Sequence, residues 1–257
     1  MKQETFVYFI GTAGAGKSTL AQRFYEWTNV KGIDSILVNL DPGAENLPYD
    51  PDVDIRDWIS LKEVMESHEL GPNGAQVACA DLLAVNIDDV KESIESFKTD
   101  YVFVDTPGQL ELFVFRNSGR IIATTLQPQH SAVCYLVDPI LAKSASGFTS
   151  QLLLSLFTSF RLGLPQFNVL SKADMLEKKD LDHVLSWADD AYSLESAVQS
   201  EHSSMYRQIN EDIVRMIIDF QSHAKLIPTG NTDFLGIEDM YTLLQLLFAG
   251  GEDVLSD

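Results

Sequence analysis

The sequence predicts a three-layer α/β fold, a mainly parallel central sheet with helices on both faces. Short runs of β-forming residues alternate with helix-period segments along the chain. The first strand, helix and second strand make a βαβ unit, whose strands run parallel. The chain has 257 residues, 45% of them hydrophobic, with no repeat or low-complexity tract. That is enough for one domain with a full core, so residues 1–257 are expected to form a single unit.

Thr5 to Ile10 is an apolar run that ends at Gly11 and reads as a buried strand. Lys17 to Val30 has helical spacing, with Leu20, Phe24 and Trp27 on one face, and stops near Gly32. Ser35 to Leu40 is the second strand. Both strands end at one sheet edge, which brings Asp41 near the glycine-rich loop after the first. Asn46 to Pro51 is turn-rich, Ile55 to Leu70 reads as a helix ending at Gly71-Pro72, and Asp88 to Phe97 as another. Together, residues 46–98 make a helical insertion.

Beyond the insertion, strands are expected at Tyr101 to Val104, Ala132 to Val137, Phe167 to Leu170 and Lys225 to Ile227. Helices are expected at Asn117 to Leu126, Ser146 to Arg161 and Ile237 to Phe248. Leu181 to Phe220 is mostly helical, with a polar break near Ser200 to Ser204, giving a helical segment around 180–222. In parallel sheets of this kind, ligands bind outside the carboxyl ends of the strands.

Lys and Arg total 18 against 38 Asp and Glu, a formal charge of −20. Such a chain repels a phosphate backbone, so direct nucleic-acid binding is not expected. Cys79 and Cys134 are isolated among apolar residues and read as buried thiols, and the five histidines have no metal-ligand spacing. There is no signal-peptide pattern and no apolar stretch long enough for a bilayer, so a cytoplasmic protein without a membrane partner is expected.

Gly11-Thr12-Ala13-Gly14-Ala15-Gly16-Lys17-Ser18 matches G-x-x-x-x-G-K-[ST] between a strand and a helix, with Thr19 next. Glycines let backbone N–H groups converge on a phosphate, and the helix adds its positive end. Lys17 would reach the β- and γ-phosphates, and the Ser18 hydroxyl would ligate Mg²⁺. Asp105-Thr106-Pro107-Gly108-Gln109 follows a strand. Asp105 there would hold Mg²⁺, Gly108 N–H would contact the γ-phosphate, and Gln109 and Glu111 are candidates to orient the attacking water. Ser171-Lys172-Ala173-Asp174 follows a later strand. The Asp174 carboxylate could accept from guanine N1–H and N2–H₂, a donor pair adenine lacks, while the Lys172 stem covers the base. Pro228-Thr229-Gly230-Asn231 could close the purine pocket with backbone groups, or be an ordinary turn.

Gly71-Pro72-Asn73 is on local physics only a turn. Combined with the P-loop, Val38-Asn39-Leu40-Asp41-Pro42, Asp54-Ile55-Arg56-Asp57, the Asp105 motif with Glu111, and Ser171 to Asp174, it makes the chain resemble the GPN-loop GTPases over nearly its whole length, the archaeal members in particular. The resemblance implies a P-loop NTPase fold that hydrolyses GTP to GDP with Mg²⁺ as cofactor. It implies a constitutive homodimer in which Gly71, Pro72 and Asn73 reach the partner subunit's phosphate site. Asn73 would then act in trans, and Asp41 would help hold the Mg²⁺ shell and the attacking water, with Gln109 and Glu111 assisting. Eukaryotic relatives are linked to RNA polymerase assembly, which makes a polymerase or another assembly client an expected partner. Phe113, Phe115 and the helix from Ser146 are candidate dimer contacts or core, and Arg56, Arg116 and Arg120 are expected in surface or structural roles. Two other functions stay open, a nucleotide-dependent assembly factor that does not hydrolyse and a P-loop small-molecule kinase. The second fits less well, since no arginine-rich lid segment is present.

Overall fold

β1 (Thr5–Gly11) is buried along its whole length because both of its faces are covered. Its alternating side chains divide the core. Phe6, Tyr8 and Ile10 join one cluster, and Val7 and Phe9 join the other. This computed structural model describes residues 4–126, 130–201, 212–214, 216, 226–230 and 234–249.

The remaining strands are β2 (Ser35–Asn39), β3 (Val53–Asp54), β4 (Tyr101–Asp105), β5 (Ser131–Val137), β6 (Gln166–Leu170) and β7 (Leu226–Pro228). They form one seven-stranded sheet in the order β3-β2-β4-β1-β5-β6-β7. Every pairing is parallel. The fold is the expected three-layer α/β architecture. β1 and β2 run parallel but are not neighbours, because β4 lies between them. In that register Asp105 pairs with Phe9 on one side and Asn39 on the other. The carboxylate therefore emerges at the centre of the sheet edge.

α1 (Lys17–Lys31) and α10 (Ile237–Ala249) cover one face. Leu20, Phe24 and Trp27 of α1 are buried there as their spacing requires, and the Phe24 ring stacks on Phe103 with centroids 4.7 Å apart. The opposite face is covered by α2 (Leu61–Ser67), α3 (Pro72–Val85), α4 (Ile87–Glu95), α5 (Asn117–Leu126), α7 (Ala145–Leu162), α8 (Lys178–Asp189) and α9 (Ala191–Glu201). The short α6 (Pro139–Ala142) precedes α7.

Several elements differ from expectation. The helix expected over Ile55 to Leu70 is a 3₁₀ turn, Ile55–Asp57, followed by α2. The Ser60 hydroxyl accepts from Glu63 N and starts α2 late. Gly71-Pro72-Asn73 is not a turn that closes a helix but the start of α3, with Gly71 as N-cap and Pro72 at the first position. Glu111–Phe115 forms a π-turn. Phe113 is core and is removed as a dimer contact, whereas Phe115 is 43% exposed. Cys79 and Cys134 are buried free thiols, as expected. The expected strand start at Lys225, Asn231, and the break at residues 202–204 with most of the helical stretch after it lie outside the described residues. No described helix is long and apolar enough to cross a membrane.

Candidate functional site

Gly14 and Gly16 hold φ of 78° and 95°, the left-handed region that a side chain resists. They bend the chain so that residues 11–16 wrap the start of α1. Gly11 is required for a different reason. A Cβ there would stand 2.8 Å from the Leu136 carbonyl oxygen of the neighbouring strand. Ala15 is fully buried and its N–H donates to Thr12 O, while Ala13 and Gly14 are exposed at the tip. Ser18 and Thr19 lie in the first turn of α1.

Lys17 gathers the surrounding loops. Its Nζ donates to Gly11 O at 3.0 Å, to Thr12 O at 3.1 Å and to Gly108 O at 3.1 Å. Burial pushes its pKa down, and the charges of Asp105 and Asp41 work against that shift. Asp41 reaches the same point from β2. Its Oδ2 accepts from Gly108 N at 3.0 Å and its Oδ1 from Gly43 N at 2.9 Å. The amide expected to face a γ-phosphate is thus bonded to Asp41, and Asp41 comes near the P-loop by way of the Asp105 loop because β4 separates the strands.

Asp105 is 2% exposed. Burial raises its pKa from 3.8 to about 6, opposed by the nearby Ser18 and Tyr49 hydroxyls and by Lys17. Oδ2 accepts from the Tyr49 hydroxyl at 2.9 Å, and Oδ1 is buried without a partner, as is Thr12 Oγ1. A buried carboxylate oxygen beside the Ser18 hydroxyl fits a magnesium ion that takes its other ligands from phosphates and water. Among the described residues no group of three or more His, Cys, Asp or Glu could hold a metal alone.

The loop Ser171 to Asp174 is stapled to the P-loop. Lys172, at φ 49°, lays its stem along Gly16 and donates from Nζ to Gly14 O at 2.7 Å. Ser171 is buried, with N and Oγ both on Val137 O. Ala173 N donates to Thr229 O at 2.8 Å, which joins this loop to the buried Thr229-Gly230 pair. Asp174 stands exposed at the rim.

Tyr49 and Gln76 were missed from sequence, and Asn39 stood in the Val38 to Pro42 motif without an assigned role. Asn39 is fully buried, donates to Asp54 Oδ1 at 2.9 Å and accepts from Asp41 N at 3.0 Å. Gln109 Nε2 donates to Gln76 Oε1 of α3 at 2.9 Å. Asp54 is itself bound by Arg56. Burial alone would raise its pKa, but the Arg56 and Asn39 hydrogen bonds hold it below the usual range. Arg56 and Arg116 are structural as expected, the latter paired with Asp81 of α3. Gly71, Pro72, Asn73 and Glu111 are exposed, and among the described residues no hydrogen bond joins Asn73 or Glu111 to the P-loop.

A family model described as "Conserved hypothetical ATP binding protein" matches residues 9–250. GPN-loop GTPase 3 of Eremothecium gossypii is 36% identical over 83% of this chain and 81% of its own length. GPN-loop GTPase 3 of Mycosarcoma maydis is 30% identical over 95% and 91%. GPN-loop GTPase 1 of Dictyostelium discoideum is 30% identical over 95% of this chain, which spans 62% of that longer protein. Among solved structures, the apo form of a GTPase from Pyrococcus abyssi superposes with a TM-score of 0.84 at 28% identity, covering 93% of this chain and 96% of its own.

Proposed function

Because the chain belongs to the GPN-loop GTPase family and is on that ground a hydrolase of GTP, we propose that it works as a homodimer. Its nucleotide state sets its shape for a client, in the manner of a switch or assembly factor. The observation that carries the reading is the convergence of Lys17, Ser18, Asp41, Gly108 and Asp105 at one sheet edge, with the Lys172 loop stapled beside them.

Lys17 and the amides of residues 11–19 would bind the triphosphate, Lys17 by leaving its three carbonyls for phosphate oxygens. Ser18 and Asp105 would hold Mg²⁺, with Asp41 in the surrounding shell. When bound, the ion would offset the charge that builds on the phosphates. Catalysis would be positioning and electrostatics. Asp41, Gln109 and Glu111 would orient a water in line with the γ-phosphorus. Its oxygen bonds to phosphorus as the bond to the β-phosphate oxygen breaks, leaving GDP and inorganic phosphate. Asn73, exposed at the start of α3, would complete the partner subunit's site. Phe157, Phe160 and Phe115 are 44%, 66% and 43% exposed, and the Phe115 and Phe157 rings lie 4.9 Å apart. An exposed aromatic group of this kind supports association of two copies.

The family model's description speaks of ATP and the relatives' names of GTP, and Asp174 decides between the bases. An aspartate accepts twice from guanine and finds no such donor pair on adenine. Wild type is expected to bind GDP at least 10²-fold more tightly than ADP. Asp174→Asn, whose amide can donate to the 2-oxo group of xanthine, should shift preference to xanthosine diphosphate. Fluorescent-nucleotide titration reads both, and equal affinity for ADP and GDP would refute the guanine reading.

A further inference from the structure

We propose that Tyr49 is a positioning residue for the metal-binding carboxylate of Asp105. The inference rests on the reading of this edge as a magnesium and guanine-nucleotide site. Tyr49 lies 56 positions before Asp105 in the chain, in the segment between β2 and β3, yet its hydroxyl donates to Asp105 Oδ2 at 2.9 Å. The other oxygen, Oδ1, is buried and has no protein partner.

The two oxygens of a carboxylate are interchangeable by rotation, and that torsion is soft. A fixed donor on one oxygen decides where the other points. Here the donor is fixed on every side. The Tyr49 ring packs against the α1-side core. Its segment is tied down beyond it where Asp52 Oδ2 accepts from Leu37 N at 2.8 Å, and before it where Arg56 Nη1 donates to Ala44 O at 3.0 Å. Tyr49 thus sits between two anchors with its hydroxyl aimed at one oxygen of the buried acid. Outer hydrogen bonds of this type orient metal ligands, and their loss costs 10- to 100-fold in metal affinity. A purely structural role would use the ring and the anchors but not the hydroxyl, so removing the hydroxyl alone separates the two.

The test uses Mn²⁺ as the probe, titrated by electron paramagnetic resonance into the whole protein saturated with GDP. Tyr49→Phe is expected to weaken Mn²⁺ binding about tenfold. Its metal-free affinity for GDP and its metal-free thermal midpoint should stay at wild-type values. In an Asp105→Asn background, Tyr49→Phe should add nothing, because no pair of equivalent oxygens is left to distinguish. Unchanged Mn²⁺ affinity overturns the inference, and so does tighter binding, which would make the hydroxyl a competitor of the ion. If Tyr49→Phe lowers the metal-free midpoint, the cycle still decides. An effect that vanishes with Asp105→Asn supports positioning, and one that survives it refutes positioning. Wild type that binds no Mn²⁺ with GDP would sink the nucleotide-site reading itself, and the inference with it.

Discussion

Asp105 buries an ionisable group where a neutral one would be more comfortable. Its pKa of about 6, raised from 3.8 chiefly by burial, means that the folded chain holds the proton more tightly than the unfolded chain does. Stability linked to that proton is present below about pH 4 and is lost as pH rises through 6, amounting to about 3 kcal/mol at neutral pH. Asp105→Asn keeps an acceptor for the Tyr49 hydroxyl and removes the charge. At pH 7.5 without metal or nucleotide, the variant is therefore expected to unfold at higher denaturant than wild type, by up to about 3 kcal/mol. The difference should shrink toward zero by pH 4. With Mg²⁺ and GDP the order should reverse, as the proposed role of Asp105 in holding the ion requires a carboxylate. Denaturation curves at several pH values check this, and a variant less stable than wild type at pH 7.5 would show that the charge is already well compensated. The desolvation cost borne at this residue is the usual mark of a site kept for chemistry rather than stability.

At the scale of elements, the π-turn Glu111–Phe115 carries Gln109 and Glu111 on its leading side, and α5 locks it from behind. Gly119 of α5 allows the approach, for a Cβ there would stand 1.8 Å from Phe113 O. Arg161 of α7 closes the other side with bonds to Val114 O and Phe115 O. If Gln109 and Glu111 orient the attacking water as proposed, Gly119→Ala is expected to displace the turn and lower kcat about tenfold or more. GDP affinity should hold, since the P-loop and the Ser171 to Asp174 loop stand on other elements. Steady-state kinetics and a GDP titration check it, and wild-type kcat in a folded variant would show that the turn does not position Gln109. The turn itself was not legible in sequence, since Glu-Leu-Phe-Val-Phe fits a strand, a helix or a π-turn equally. The main strands and α1 were legible because apolar runs and spacing carry them. α3 was not. Its buried face of Ala75, Cys79, Ala80 and Leu83 has helical spacing but small residues, and Gly-Pro was read as a stop although the same pair starts helices. The phosphate-side residues could be named from local motifs. Tyr49 and Gln76 could not, because each acts through a partner that only the tertiary fold brings near, and Asn39 stood in a quoted motif without its tie to Asp54.

At the scale of the whole molecule, two chains that each carry a charge of −20 must overcome mutual repulsion to associate. The exposed Phe115, Phe157 and Phe160 group is the apolar surface proposed to do so, and Phe160 is its most exposed member at 66%. Phe160→Glu removes apolar area and adds a like charge, with little effect on the core beneath. On the proposed homodimer, it is expected to yield monomer by light scattering at concentrations where wild type associates, and the monomer fraction should fall as salt screens the repulsion. If Asn73 completes the partner's site, that monomer has already lost the residue. Asn73→Ala alone should then lower kcat roughly 10²-fold, the scale of one lost transition-state donor, with GDP binding intact. Phe160→Glu should lower kcat at least as far, and adding Asn73→Ala to it should change nothing more. Two changes that remove one interaction cannot be additive. Additive losses would place Asn73 in its own subunit's chemistry, and a fully active monomer would leave the exposed start of α3 without a part in hydrolysis.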